Sequence, residues 1–324
     1  MIFDHTNGVA ILLTDFPLVT IVIPAYNHAR YLKEAIDSVL RQDYPKIELI
    51  VLDDGSTDAT RSVLEGYGDR FFWASQVNMG QASTLNKGWG MAKGEILAYL
   101  SADDALLRHA VAVSVKCLQL HPEAALCYGD FQLIDPASRV IRDVIAPEYS
   151  YSEMIRDFVC APGPGAFFRK TSFIQAGGWN PELRQFPDYE YWLRLGLYGK
   201  FVRLPEQVAS FRVHEQSQTF ATATVERAEE ALRIVENYFR RSNIPENVVQ
   251  LKPQALATAS LLVAQLHLRA GRYHLAFIQL GKAVRSYPFS LFSRRAVKML
   301  FNGFFNKIAH RLLWAARSRH KIFR

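Results

Sequence analysis

The chain has 324 residues, 49% of them apolar, which suits one large α/β unit with a smaller annex and excludes a disordered chain. Its net charge of +7 is unevenly spread: residues 247–324 hold 14 of the 38 Lys and Arg and no acid, while residues 1–246 are net −7. A tail of that kind fits an anionic partner, either a lipid surface or a nucleic acid.

Three cysteines, Cys117, Cys127 and Cys160, match no zinc or disulfide spacing and read as reduced thiols. The N-terminus lacks a basic segment, and Asp4 and Asp15 flank its short apolar run, so no signal peptide is expected. No run reaches about 18 apolar residues, so no membrane span is expected either. Residues 1–17 read as an N-terminal extension.

From there strands and helices alternate. Strand-like runs fall at Val19–Pro24, Ile47–Leu52, Phe71–Ser75 and Glu95–Leu100. Helical patterns fall between them at Ala29–Arg41, Asp58–Tyr67 and Ala82–Ala92. That alternation predicts a parallel, doubly wound sheet covered on both faces. A long helix over Leu107–His121 follows, then strands at Ala124–Asp130 and Val140–Ile145. A Pro/Gly loop at Ala161–Gly165 leads to a strand at Ala166–Arg169, a helix at Tyr189–Tyr198 and an edge strand at Gln207–Val213. Residues 216–290 read as a helical annex, with one hairpin like a tetratricopeptide repeat at Gly271, Tyr273, Ala276, Ala283 and Pro288.

Residues 291–324 mix Phe, Leu and Trp with Lys and Arg as a basic amphipathic helix, of the kind that lies in a lipid interface. Its apolar stripe could instead pack on the annex. Nucleic acid is not expected, because no recognisable binding motif accompanies the charge.

Chemistry gathers where strands end. Val22-Ile23-Pro24-Ala25-Tyr26-Asn27 closes the first strand, and in open α/β sheets ligands bind beyond the carboxyl ends of strands. Asp53 and Asp54 close the second strand. Adjacent carboxylates repel, so a base N–H, ribose hydroxyls or a cation is expected between or beside them. Asp103 and Asp104 follow the fourth strand, and paired acids there suit magnesium or manganese bound together with substrate phosphates. Between them, Asn78 to Gly88 is a Gly-bearing loop entering a helix, where backbone N–H groups and Lys87 can meet an anion. The dinucleotide and Walker glycine fingerprints are both missing, which excludes a dehydrogenase and a P-loop ATPase.

Together these segments resemble inverting family 2 glycosyltransferases of the GT-A fold, a Rossmann-like nucleotide-diphospho-sugar transferase fold. The likeness covers residues 18–215 and is carried by VTIVIPAYNHARYLKEAIDSVLRQDYPKIELIVLDDGSTDAT, NMGQASTLNKG, GEILAYLSADD, GGWN, PDYEYWLRLG and FRVHEQSQT. It implies a nucleotide-binding set of Pro24, Ala25, Tyr26, Asn27, Asp53, Asp54 and Asn86. Lys87 and Arg212 are implied at the diphosphate. A divalent metal, Mn2+ or Mg2+, is implied at Asp103, Asp104 and His214. Asp188 stands where the family has its catalytic base, with Glu190 as the second choice. Gly163, Gly165 and Trp192 are implied on the acceptor side. Ser101 and Pro187 replace two acids of the family pattern.

The resemblance further implies a nucleotide-diphosphate sugar donor, UDP the expected base, and a glycan or lipid-linked acceptor in surface polysaccharide or glycolipid synthesis. The expected location is cytoplasmic, peripheral at the inner face of a membrane. Three other classes compete. An inactive nucleotide-sugar or glycan-binding module is compatible with Ser101 and Pro187. A sugar nucleotidyltransferase would carry a Gly-rich loop after the first strand, and Ala25–Tyr31 has no Gly. A helical scaffold fits only the last hundred residues.

Overall fold

The computed structural model describes residues 16–214 and 222–303. The expected extension before residue 16, the end of the FRVHEQSQT segment and residues 304–324 of the basic helix lie outside the described residues.

The parallel half follows the expected alternation: β1 (Val19–Ala25), α1 (Ala29–Leu40), β2 (Ile47–Asp53), α2 (Thr60–Glu65), β3 (Phe72–Ser75), α3 (Gln81–Met91) and β4 (Ile96–Tyr99). Every residue of β1 is buried, because parallel neighbours flank it and helices cover both faces. In α1 the residues Tyr31, Leu32, Ala35, Ile36 and Val39 form the buried stripe that their three-to-four spacing predicts.

The second half departs from the expected boundaries. Residues 107–109 are not helical. A two-residue strand, β5 (Ala105–Leu106), precedes α4 (Ala110–Leu120), because the chain at Ala105 and Leu106 pairs with a later strand. Then come β6 (Ala124–Ile134), β7 (Val140–Val144), α5 (Tyr151–Asp157), β8 (Phe167–Arg169), α6 (Lys170–Ala176), α7 (Pro187–Leu195) and β9 (Lys200–Arg212). Strands β6 and β9 are longer than their apolar runs because they pair with each other along almost their whole length. The sheet is therefore mixed, in the order β3-β2-β1-β4-β8-β6-β9-β5, with β7 added on β6. Strands β3, β2, β1 and β4 form a parallel run and β6 pairs with β9 in parallel, while β8, β7 and β5 pair antiparallel.

The core has two layers. On one face α1 and α4 pack through Leu32, Ile36, Val111 and Leu118. On the other, α3 and α7 pack through Leu85, Trp89, Tyr191 and Leu195, continuous with the annex. The annex comprises α8 (Val225–Tyr238), α9 (Glu246–Val249), α10 (Lys252–Arg269) and α11 (Tyr273–Ser286). A 3₁₀ turn (Pro288–Phe292) and a helix at 294–303 follow. Tyr238 of α8 bonds Tyr151 of α5 hydroxyl to hydroxyl at 2.7 Å, tying the annex to the sheet domain.

Candidate active site

One cleft, of about 1580 Å³, opens at the carboxyl ends of β1, β2 and β4 and is closed by the 184–188 turn and the annex. That exceeds the roughly 300–1,000 Å³ typical of a single small-molecule pocket, so it has room for two substrates.

On the strand side, Pro24, Ala25, Tyr26, Asn27 and Asp54 line the cleft. Tyr26, 47% exposed, offers its ring as a stacking surface. Asn27 sits at φ 55° and spends its side chain inward, its Oδ1 accepting from Thr57 N at 2.8 Å. It thus clips the loop after β1 to the loop after β2. Asp54 points its carboxylate at the neighbouring loop, accepting from Gln76 Nε2 (3.0 Å), Met79 N (2.8 Å) and Gly80 N (2.8 Å). Asp53 is buried behind it and accepts from Ser56 N at 3.0 Å. Partner N–H groups thus resolve the repulsion between the two acids.

Asn86 and Lys87 are not on the cleft wall. Asn86 receives Trp179 N and donates to Trp179 O, each at 2.7 Å, and so pins the Gly177-Gly178-Trp179 loop. Lys87 is exposed, with Nζ on Gln76 Oε1 at 2.8 Å.

The acids after β4 divide their work. Asp103 lines the cleft, and its Oδ2 lies 2.9 Å from His214 Nε2. Asp104 is buried beneath, with Oδ1 accepting from Arg212 N at 2.8 Å. Burial, reinforced by the Asp103 charge, holds its carboxyl well above the usual range, opposed by Arg212. An acid so placed is a support, not the expected metal ligand. Arg212, expected at the diphosphate, is 1% exposed. Its guanidinium donates to Asp103 O (2.8 Å), Asp135 O (3.1 Å), Ser138 Oγ (2.9 Å) and Glu34 Oε2 (2.6 Å), and lies over the Tyr31 ring. It braces the turn that presents Asp103.

A metal has a partial seat here. Asp103 and His214 provide one oxygen and one nitrogen donor on the cleft wall. Among the described residues no cluster of three or more His, Cys, Asp or Glu could hold an ion. That set fits magnesium or manganese, which bind through one or two carboxylates and complete their shell on substrate phosphates. It does not fit a metal held by protein alone. His28 lines the cleft beside this pair, its ring 6.4 Å from that of His214. Burial lowers its pKa although Asp103 pulls the other way, which favours the neutral imidazole.

Asp188, in the first turn of α7, also lines the cleft. It lies near enough to Tyr99 and Cys160 for its charge to act on both. Burial raises its pKa, opposed by the N–H of Tyr189, which Oδ1 accepts at 2.8 Å. A carboxylate made more basic by its surroundings, facing open space, is what a general base requires. Glu190 is unavailable for that role, since Arg194 takes both its oxygens at 2.6 and 2.8 Å.

The expected acceptor-side residues sit elsewhere. Trp192 is 1% exposed and packs on Phe168 and Phe201 in the core. Gly163 is required by close packing, since a Cβ there would meet the Phe131 ring at 2.9 Å. Gly165 turns at φ +78° against Val208 and Ala209. The cleft instead takes Phe158, Cys160 and Trp179 from these segments.

Sequence reading also missed Glu230. This α8 carboxylate is 2% exposed and accepts from Arg184 N (2.9 Å), Gln185 N (2.6 Å) and Phe186 N (3.2 Å), directly before Asp188. An annex side chain therefore fixes the turn that presents Asp188. The available signal was its place on the apolar stripe of α8, four residues before Ile234. The annex also lines the cleft with Arg227, Leu262, Gln265, Leu266 and Arg269.

The family model described as glycosyl transferase family 2 matches residues 20–162. An uncharacterized glycosyltransferase of Rickettsia typhi is 33% identical over 218 residues, 65% of this chain and 68% of that protein. S. aureus TarS 1–349, solved with UDP-GlcNAc, superposes with a TM-score of 0.66 at 17% identity over 89% of each chain. The mannosyltransferase PcManGT of Pyrobaculum calidifontis, solved with GDP-Man and Mn2+, gives 0.57 at 19% identity over 91% of this chain and 89% of its own. The expected GT-A fold is thus present, and the chain belongs to glycosyltransferase family 2.

Proposed function

We propose that this glycosyltransferase moves a sugar from a UDP-linked donor to an acceptor hydroxyl with inversion, the acceptor being a glycan or lipid-linked intermediate of surface polysaccharide or glycolipid synthesis. One observation carries the reading: an exposed aromatic ring, an Asp–His pair and a desolvated carboxylate face one cleft from different walls.

Tyr26 stacks on the base, and Pro24 and Ala25 shape the floor beneath it. The diphosphate lies toward Asp103 and His214. Asp103 and His214 would hold a divalent ion together with the phosphates, and that ion would supply positive charge to the leaving group. Asp188 takes the proton from the acceptor hydroxyl, which attacks the anomeric carbon opposite the diphosphate, so a single displacement inverts the centre. Glu230 holds the turn carrying Asp188, and Arg212 holds the turn carrying Asp103. UDP is preferred by analogy with TarS, solved with UDP-GlcNAc, and the ion by analogy with PcManGT, solved with Mn2+.

Thermal unfolding with UDP, GDP, CDP or dTDP, with and without manganese, tests this. A ligand that binds only the folded state stabilises it by about 2.7 kcal/mol at roughly 100 times its dissociation constant. A manganese-dependent rise with UDP, absent in Asp103→Ala, is expected. No rise with any nucleotide would favour an inactive binding module.

A further inference from the structure

We propose that the outer face of the annex, from α11 through the helix at 294–303, docks on an anionic lipid bilayer. Helix α11 turns Ala276 and Ala283 inward onto α10 and Gln279 onto Glu229 of α8, and leaves Phe277 and Ile278 exposed. The surface continues beyond it, with Phe289 69% and Phe292 84% exposed, and Val297 also open. Large apolar side chains standing in water in such succession mark an interaction surface.

The charge between them names the partner. Lys282, Arg285, Arg294 and Lys298 are exposed among these apolar residues. No Asp or Glu occurs anywhere after Glu246 to offset them. Basic residues interleaved with aromatic and aliphatic ones fit the headgroup boundary of an anionic bilayer, where charges meet phosphate and apolar side chains enter the acyl region. Nucleic acid suits the face less well, because Ile278, Val284 and Val297 can neither stack on bases nor pair with phosphate. The surface begins in α11, earlier than the basic stretch at 291–324 alone indicates.

The position has a functional sense that rests on the transferase reading, although docking itself does not. Helix α10 turns Leu262, Gln265, Leu266 and Arg269 to the cleft and Ala257, Leu261 and Leu268 toward α11 and the following helix. The docking face thus lies one helix behind the cleft wall. A lipid-anchored acceptor could reach Asp188 around that edge.

Co-sedimentation of the full chain with vesicles tests the proposal, comparing phosphatidylcholine alone with phosphatidylcholine containing phosphatidylglycerol. Binding to the anionic vesicles only is expected. It should weaken at least about tenfold in Phe277→Ser/Phe289→Ser/Phe292→Ser and in Lys282→Glu/Arg285→Glu/Lys298→Glu. Wild-type protein that ignores anionic vesicles, or binds neutral ones equally, overturns the proposal. So does a Phe variant that binds fully, or one that only converts a wild-type dimer to monomer, which would make the face a self-association surface. The UDP-dependent thermal rise, measured on the same variants, should be unchanged. Its loss in wild type would count against the transferase reading and leave the docking result standing.

Discussion

The two walls of the cleft are built in opposite ways. The wall proposed to hold the donor is the end of a parallel sheet: Ala25 pairs with Asp53 in register, and Tyr26, Asp54 and Asp103 reach the cleft just after strands β1, β2 and β4 stop. The wall proposed to carry the base rests on a turn, residues 184–186, whose backbone N–H groups are held by one carboxylate 44 or more residues later in the chain. A sheet end is fixed by many shared hydrogen bonds. A turn held from one point depends on that point. Donor affinity should therefore rest on the cleft-facing side chains and not on the annex, whereas turnover should be sensitive to the annex.

The largest expected effect on stability is on the brace under the donor wall. Arg212→Met removes a buried cation, strips the Asp103 carbonyl of the guanidinium that donates to it and leaves Glu34 without its ion-pair partner, which should cost about 3 kcal/mol in urea unfolding. A cost below about 1 kcal/mol would mean the turn holds itself. Next is Glu230→Ala. It frees the turn before Asp188 and should lower turnover about 100-fold while changing UDP affinity less than about threefold. Glu230→Gln keeps one acceptor oxygen and should recover part of the rate. Equal losses in rate and affinity would erase the distinction between the walls. Tyr26→Ala should do the reverse, weakening UDP binding about tenfold, as for loss of one base–aromatic stack, with little change in the rate at saturation. Lys87→Ala should alter both within about twofold, since the side chain is exposed and off the cleft.

The same contrast explains what could be read from sequence. Tyr26, Asp54 and Asp103 were legible because buried apolar runs stop at them, a local signal of strand end. Asp188 came only through resemblance, since an acid in a first helical turn is ordinarily just a favourable helix charge. Asn86, Arg212 and Trp192 were placed in the site by motif, but the fold uses them as struts. Their partners lie far away, Trp179 at 93 residues from Asn86 and Asp103 at 109 from Arg212, and no periodicity reports such pairs. Strand β9 and the loss of residues 107–109 from α4 were misjudged for a related reason: strand pairing across the sheet, not local propensity, sets those boundaries.

The central claim is that Asp188 is the base of a cleft whose donor wall works without it. Asp188→Asn measures this most directly, with UDP-sugar affinity by calorimetry and transfer or donor hydrolysis on the same preparation. Burial raises the folded pKa of Asp188, so its contribution to stability is full below the unfolded carboxylate pKa and is lost as pH rises through the folded value. The amide variant should consequently melt higher than wild type at neutral pH, with the gain shrinking in acid. Turnover should fall about 10²- to 10⁴-fold with donor affinity held within about threefold. An Asn variant that keeps turnover, or loses donor binding along with it, would contradict the account.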